Sequence, residues 1–343
     1  MCWVAIDEQS FARTGRYQLH SAACDGRIEV ILAALKCALR DADLILLSAC
    51  ADELALLDLA ADSVDEARYW QDPDDLDRVL ADQRVVEVLE PVAEAIAGAP
   101  ASAWWSSGLV LDNQVVVEWR EDDAPPPRLE GAAVVLAEWK KRVVEDEARF
   151  HGKQVSGPWW SPPIWSLSAD EVERWGGDLP GLGVTTRSLR GLGAIGLLLE
   201  EDSSGTLGAR CWPVRSSRQP KVLEIRDAAD WLDLVNRFPL DVTWGRQATW
   251  SLATGLNLRW LLPDWSVVAQ EYEAVHLTLM GYLGTSGRAL ELDTKMATLI
   301  AGWNPDATYW LADLLELAGE PTEWLATEHD PPRSWHTACK DGR

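Results

Sequence analysis

The spacing of apolar residues changes once along this chain, and that change sets what it can fold into. Up to residue 150 the spacing is mostly helical: residues 28–39, 54–70, 84–96 and 132–150 each carry apolar positions on one face of a helix. Residues 151–183 then bring Gly157-Pro158, Pro162-Pro163, Gly176-Gly177 and Pro180-Gly181, a loop-rich stretch. Beyond it the runs shorten to strand length, with turns and single helices between them. The expected fold is therefore α+β, a mostly helical N-terminal region followed by a mixed α/β C-terminal domain with a largely antiparallel sheet. The expected limits are a helical acidic domain over 1–155, a mixed domain over 156–330 and a flexible tail over 331–343.

Local signals sharpen this. Asp72 before Pro73 reads as a helix N-cap, and Pro91 as a kink or break. Residues 44–47 form a short buried run, either strand or helix. Strands are expected at 114–119, 194–201, 208–214, 222–225, 274–280 and 296–303. Asp227 caps a helix over 228–238, Asp264 opens another toward Tyr272, and residues 243–250 read as a turn.

Charge limits the function classes. The 343 residues hold 55 acidic against 31 basic side chains, a net charge of −24, so non-specific nucleic-acid binding would meet repulsion. Residues 41–100 carry 16 acidic residues against Arg68, Arg78 and Arg84, a local balance of −13. That face suits solvation, or a basic protein partner. No run approaches the roughly 18 apolar residues of a membrane-spanning helix, and the first residues place an acidic pair where a signal peptide would be apolar. A soluble, cytoplasmic protein is expected. Six scattered cysteines without a CxxC pair point to thiols.

Several motifs fail on context. Gly191-Leu-Gly193-Ala-Ile-Gly196 spells a dinucleotide fingerprint, yet no helix is expected after it to hold a pyrophosphate. Cys2, if exposed by loss of Met1, has the form of an N-terminal nucleophile but is followed by Trp3; a buried strand cysteine is the simpler reading. Asp72, Asp74, Asp75 and Asp77 lack a calcium loop's Gly and Glu. His329, His336 and Cys339 fit no zinc spacing. No metal is expected, and no cofactor is named.

Twenty tryptophans against three phenylalanines remain. Indoles fill cores and also line pockets for flat or cationic ligands. Polar-tipped aromatics concentrate over residues 231–310. There Arg246 lies between Trp244 and Trp250, Trp260 and Trp265 flank Pro263-Asp264, and His276 interrupts an apolar strand. Tyr282 follows in a glycine-flanked turn, and Trp303 precedes Asn304-Pro305-Asp306. One reading is a small-molecule pocket, of a binding protein or an enzyme, for an anionic or planar nucleotide-like ligand. Arg246, Trp250, Trp265, Tyr282 and Trp303 would bind, and His276 would act as acid or base. A core histidine and a cation–π clamp are the plainer readings of His276 and Arg246. Competing functions are an interaction protein using the acidic helices, a carbohydrate binder, and an ADP-ribosyltransferase-like enzyme using NAD. The last needs a catalytic glutamate, for which Glu271, Glu273 and Glu291 are equal candidates.

The phrases WLLPDW, AVHLT, GYL and GWNPDATYWL, with ARYWQDPDD, resemble those of a Trp-rich family of actinobacterial proteins with no assigned activity. The resemblance spans most of the chain and implies a shared fold; it carries no functional residue across.

Overall fold

A computed structural model describes residues 28–41, 44–65, 67, 72–119, 126–153, 157–163, 182–201, 206–327 and 335–338. The chain divides into two compact units at residue 105, with residues 67–70 grouped with the second. The expected limit near 155 therefore moves. The reason is β1 (Gln114–Trp119), a central sheet strand held between strands more than sixty residues downstream.

The described part of the first unit is helical: α1 (Ile28–Asp41), α2 (Leu44–Ser48), α3 (Glu53–Asp65), α4 (Asp75–Leu80) and α5 (Gln83–Ala97). Leu56, Leu57, Ala60 and Val64 of α3 and Val85, Val92 and Ile96 of α5 are buried, which is helical spacing on one face. The run at 44–47 is helix, with Leu47 as its buried residue. Asp74, two residues beyond the expected cap, starts α4. Its carboxylate accepts from the Leu76 and Asp77 amides while Asp77 accepts from the Asp74 amide, so both ends of the turn are satisfied. Helix α5 continues through Pro91.

The second unit contains α6 (Ala132–Phe150), β2 (Gly183–Leu189), β3 (Gly193–Ala194), α7 (Ile195–Leu198), β4 (Gly208–Ser216), β5 (Val222–Ile225), α8 (Ala228–Arg237) and β6 (Pro239–Asp241). It continues with α9 (Thr243–Thr254), β7 (Arg259–Pro263), α10 (Trp265–Val268), β8 (Ala274–Leu277), α11 (Leu279–Thr285), β9 (Leu290–Glu291) and β10 (Met296–Thr298). Last come β11 (Ala307–Trp310), β12 (Leu315–Leu317), β13 (Thr322–Ala326) and β14 (Trp335–Thr337). The main sheet runs β14-β13-β4-β1-β2-β11-β8-β5, with β12 also on β4 and β3 also on β2. Its pairs are antiparallel except β5 with β8, so the fold is α+β with a largely antiparallel sheet. A smaller sheet runs β6-β7-β10-β9.

Five expected elements differ here, among them the strand expected over 296–303, which ends at Thr298, and the helix expected from Asp264 toward Tyr272, which ends at Val268. Residues 194–201 become a two-residue strand and a short helix. Strand β8 stops at Leu277 because the Thr278 hydroxyl accepts from the Gly281 amide and caps α11, which carries Tyr282. Residues 243–250 are helix, not turn. Asp241 accepts from the first amide of α9, on Thr243, but the acceptor for the next two is Glu147, far away on α6, which takes the Trp244 and Gly245 N–H groups at 3.0 and 2.6 Å. No local signal could announce that cap. Among the described residues, no helix is long and apolar enough to cross a membrane.

Candidate functional site

Side chains on one face of the main sheet alternate with those on the other, so cross-strand partners in register share a face. Gln114 on β1 lies opposite Arg187 on β2, and Thr185 on β2 lies opposite Thr308 on β11. Thr308 lies opposite His276 on β8, and His276 opposite Glu224 on β5. A row of polar residues thus crosses five strands through the middle of the sheet.

The charged members are joined. His276 Nδ1 is 2.6 Å from Glu224 Oε2, and Nε2 is 3.3 Å from Asp306 Oδ1. Asp306 also accepts from the Arg187 backbone amide at 3.1 Å and pairs with its guanidinium at 3.2 Å. Arg187 in turn donates to the Gly108 and Ser107 carbonyls, and the Leu109 amide donates to Glu224 Oε1 at 2.9 Å. The segment 107–109 is therefore tied to both ends of the row. Asp306 is the only non-glycine residue with positive φ (54°) among those described, a conformation that Asp tolerates better than most. Its contacts to Arg187 and His276 hold it there.

Burial opposes charge on His276, but the hydrogen bonds to Asp306 and Glu224 outweigh it and raise the imidazole pKa to about 9. The ring is an imidazolium at neutral pH, with both N–H groups directed at carboxylates. His276 and Asp306 have side chains 1% exposed and Arg187 6%, whereas Glu224 is 25% exposed. The solvent-facing end of the chain is the glutamate. The ring is buried and both nitrogens are engaged with carboxylates, so the acid or base role expected of His276 finds no free nitrogen in this geometry.

The other expected site residues are not gathered around it. Trp250 is fully buried on α9, packed edge-on against Trp260 at 5.4 Å, and donates to the Trp159 carbonyl. Trp265 and Trp303 meet each other at 5.6 Å and both meet Trp231. Their N–H groups are satisfied by the Ser161 and Ala307 carbonyls. With rings covered and donors used, these indoles fill two core clusters, and the single Trp-lined pocket expected over 246–303 is not formed among the described residues. Tyr282, buried, donates to Glu201 at 2.7 Å, and the Glu201 amide donates to Asn304 beside the Asp306 turn. Arg246 lies apart, over the Trp250 ring at 6.0 Å.

Of the three candidate glutamates, Glu273 is paired with Arg218, whose hydrogen bond lowers its pKa to about 2. Glu271 pairs with Arg237 at 3.0 Å, and Glu291 is exposed on β9. The glutamate beside His276 is Glu224, which the sequence reading passed over. Of the fingerprint glycines, Gly193 serves packing: at φ 92° a Cβ there would fall 2.8 Å from the Trp324 ring. His336 sits on β14, whereas Cys2, His329 and Cys339 lie outside the described residues. Among the described residues, no three His, Cys, Asp or Glu side chains are grouped to hold a metal ion.

The chain matches no known family, and neither curated proteins nor solved structures show significant similarity to it.

Proposed function

We propose that the second unit is a small-molecule-binding protein whose polar anchor is Glu224, the outer end of the Arg187–Asp306–His276–Glu224 chain. The observation that supports this reading is the chain itself: four charged groups from three strands and a turn, hydrogen-bonded in line and graded from buried to partly exposed. Burying two ion pairs within a sheet is a poor way to gain stability, because apolar side chains of similar volume do as well or better. A fixed carboxylate facing solvent is what the arrangement delivers, held in orientation by His276 and the Leu109 amide. The ligand it suits carries donors: an amine, a hydroxyl or the amino edge of a planar, nucleobase-like ring. If the protein is an enzyme, Glu224 is the proton acceptor and His276 its positioning residue. Cytoplasmic residence belongs to the same proposal and is supported by the unpaired thiols of Cys37, Cys50 and Cys211.

Screening a library of polar metabolites by thermal shift tests the reading. Donor-bearing compounds are expected to raise the melting temperature of the wild type and not of Glu224→Gln. A library that leaves the wild type unmoved, while a basic peptide binds it with strong salt dependence, would favour the acidic helices as the working surface.

A further inference from the structure

Helices α6 and α9 enclose a cation that the row of polar residues does not use. Arg246 is 3% exposed, and its Nε has no hydrogen-bond acceptor. The Trp250 ring lies under the guanidinium at 6.0 Å, but a ring face cannot satisfy N–H groups that point outward in the guanidinium plane. Its nearest counter-charges are Asp146 and Glu147 of α6, and among the described residues no ion pair to Arg246 is formed. Burial lowers the Arg246 pKa to about 10, against the pull of those two carboxylates.

The two carboxylates differ. Glu147 accepts from the amides at the start of α9 through both oxygens, which fixes it to the helix end. Asp146 is partly buried, accepts no hydrogen bond from the described residues, and is raised in pKa chiefly by that burial. An orphaned guanidinium Nε and a partly desolvated carboxylate, which also feels Arg149 and Arg142, thus occupy the same helix crossing. The crossing is tight on one side, where a Cβ on Gly157 would fall 2.3 Å from the Gly245 carbonyl oxygen. Asp146 marks the side that reaches solvent.

We infer that Arg246 and Asp146 are the two ends of a second ligand site, which takes the head group of a free α-amino acid. The carboxylate lies on the Arg246 fork and the ammonium on the Asp146 carboxylate. A dianion such as phosphate is disfavoured by Asp146 and Glu147, and a simple amine by Arg246. A zwitterion supplies an anion for Arg246 and a cation for Asp146 at once. The site shares no residue with the Glu224 chain and stands or falls separately from it.

The test is calorimetric titration of the full chain with the free L-amino acids one at a time, and with acetate, methylammonium and inorganic phosphate as probes. At least one amino acid is expected to bind, with acetate and methylammonium at least tenfold weaker and phosphate not at all. Asp146→Asn, a change at a half-exposed position that leaves Arg246 in place, is expected to weaken the amino acid at least tenfold. Acetate or phosphate binding as tightly as any amino acid would overturn the ammonium half of the site. No binding by any probe, together with an Arg246→Met variant at least as stable as wild type, would overturn the site as a whole.

Discussion

Glu224 and His276 lie directly opposite each other on β5 and β8, the one parallel pair in the main sheet, joined by a 2.6 Å hydrogen bond through Nδ1. The parallel pairing puts both side chains on the same face at the edge of the sheet, where one can be buried and the other can reach solvent. Asp306 and Arg187 complete the line inward, so the state of the imidazole reports on the whole chain.

The first consequence concerns pH. The folded-state pKa of His276, about 9, lies above its ordinary value of 6.5. Its contribution to stability is therefore fully present below pH 6.5 and is lost as pH rises through about 9; the amount at stake is on the order of 3 kcal/mol. Urea unfolding at a series of pH values checks this. Nitrogen chemical shifts of the ring should show a doubly protonated imidazole at neutral pH, and a ring that titrates near 6.5 contradicts the ion chain.

Substitutions at Asp306 should rank by backbone and charge together. Asp306→Ala leaves Arg187 and His276 without their shared carboxylate and puts a residue less suited to positive φ at 54°, so a loss of roughly 3–5 kcal/mol is expected. Asp306→Asn keeps a hydrogen-bonding oxygen and tolerates that φ, so roughly 1–3 kcal/mol is expected. Denaturant midpoints give the order. Equal losses would mean that the carboxylate is not what holds the turn.

Much of the architecture was legible because it is written locally. Asp227 capping α8, the amphipathic α6 and the valines of β1 all signal within a few residues. What stayed hidden depends on partners far away in sequence. Helix α9 is capped by Glu147 across about a hundred residues, and β1 joins a sheet whose other strands come later. His276 was visible as a polar residue in an apolar strand, and Asp306 only as part of a turn. Glu224 and Arg187 are single charges in short strands, and only strand register brings them to His276. The abundance of tryptophan pointed the other way, toward a stacked pocket, because counting indoles does not reveal which ring faces are already covered.

The glycine fingerprint is expected to behave as packing. Gly193→Ala would drive a Cβ into Trp324 at a backbone position of φ 92°, at a cost of roughly 2–4 kcal/mol. Gly191→Ala, also at positive φ but with open space around it, should cost only about 1 kcal/mol. A dinucleotide role would instead make the two changes comparable and visible as lost NAD binding.

Thiol chemistry offers an independent check on burial. Cys211 is buried in the sheet and its pKa is pushed up to about 12 by desolvation, whereas Cys37 is exposed on α1. Alkylation followed by peptide mapping should label Cys37 in the native protein and Cys211 only after unfolding. Early labelling of Cys211 would mean that β4 is open to solvent.

The central claim, that the buried ion chain exists to hold Glu224 for a ligand, is tested most directly on Glu224→Gln, by comparing native mass and melting temperature with the wild type. The account predicts a melting temperature lowered by no more than a few degrees, because this end of the chain is partly exposed, together with loss of a small molecule that the wild type retains under native conditions. A variant that melts far below a wild type carrying no small molecule would contradict it, and would make the chain a structural clasp on the segment 107–109.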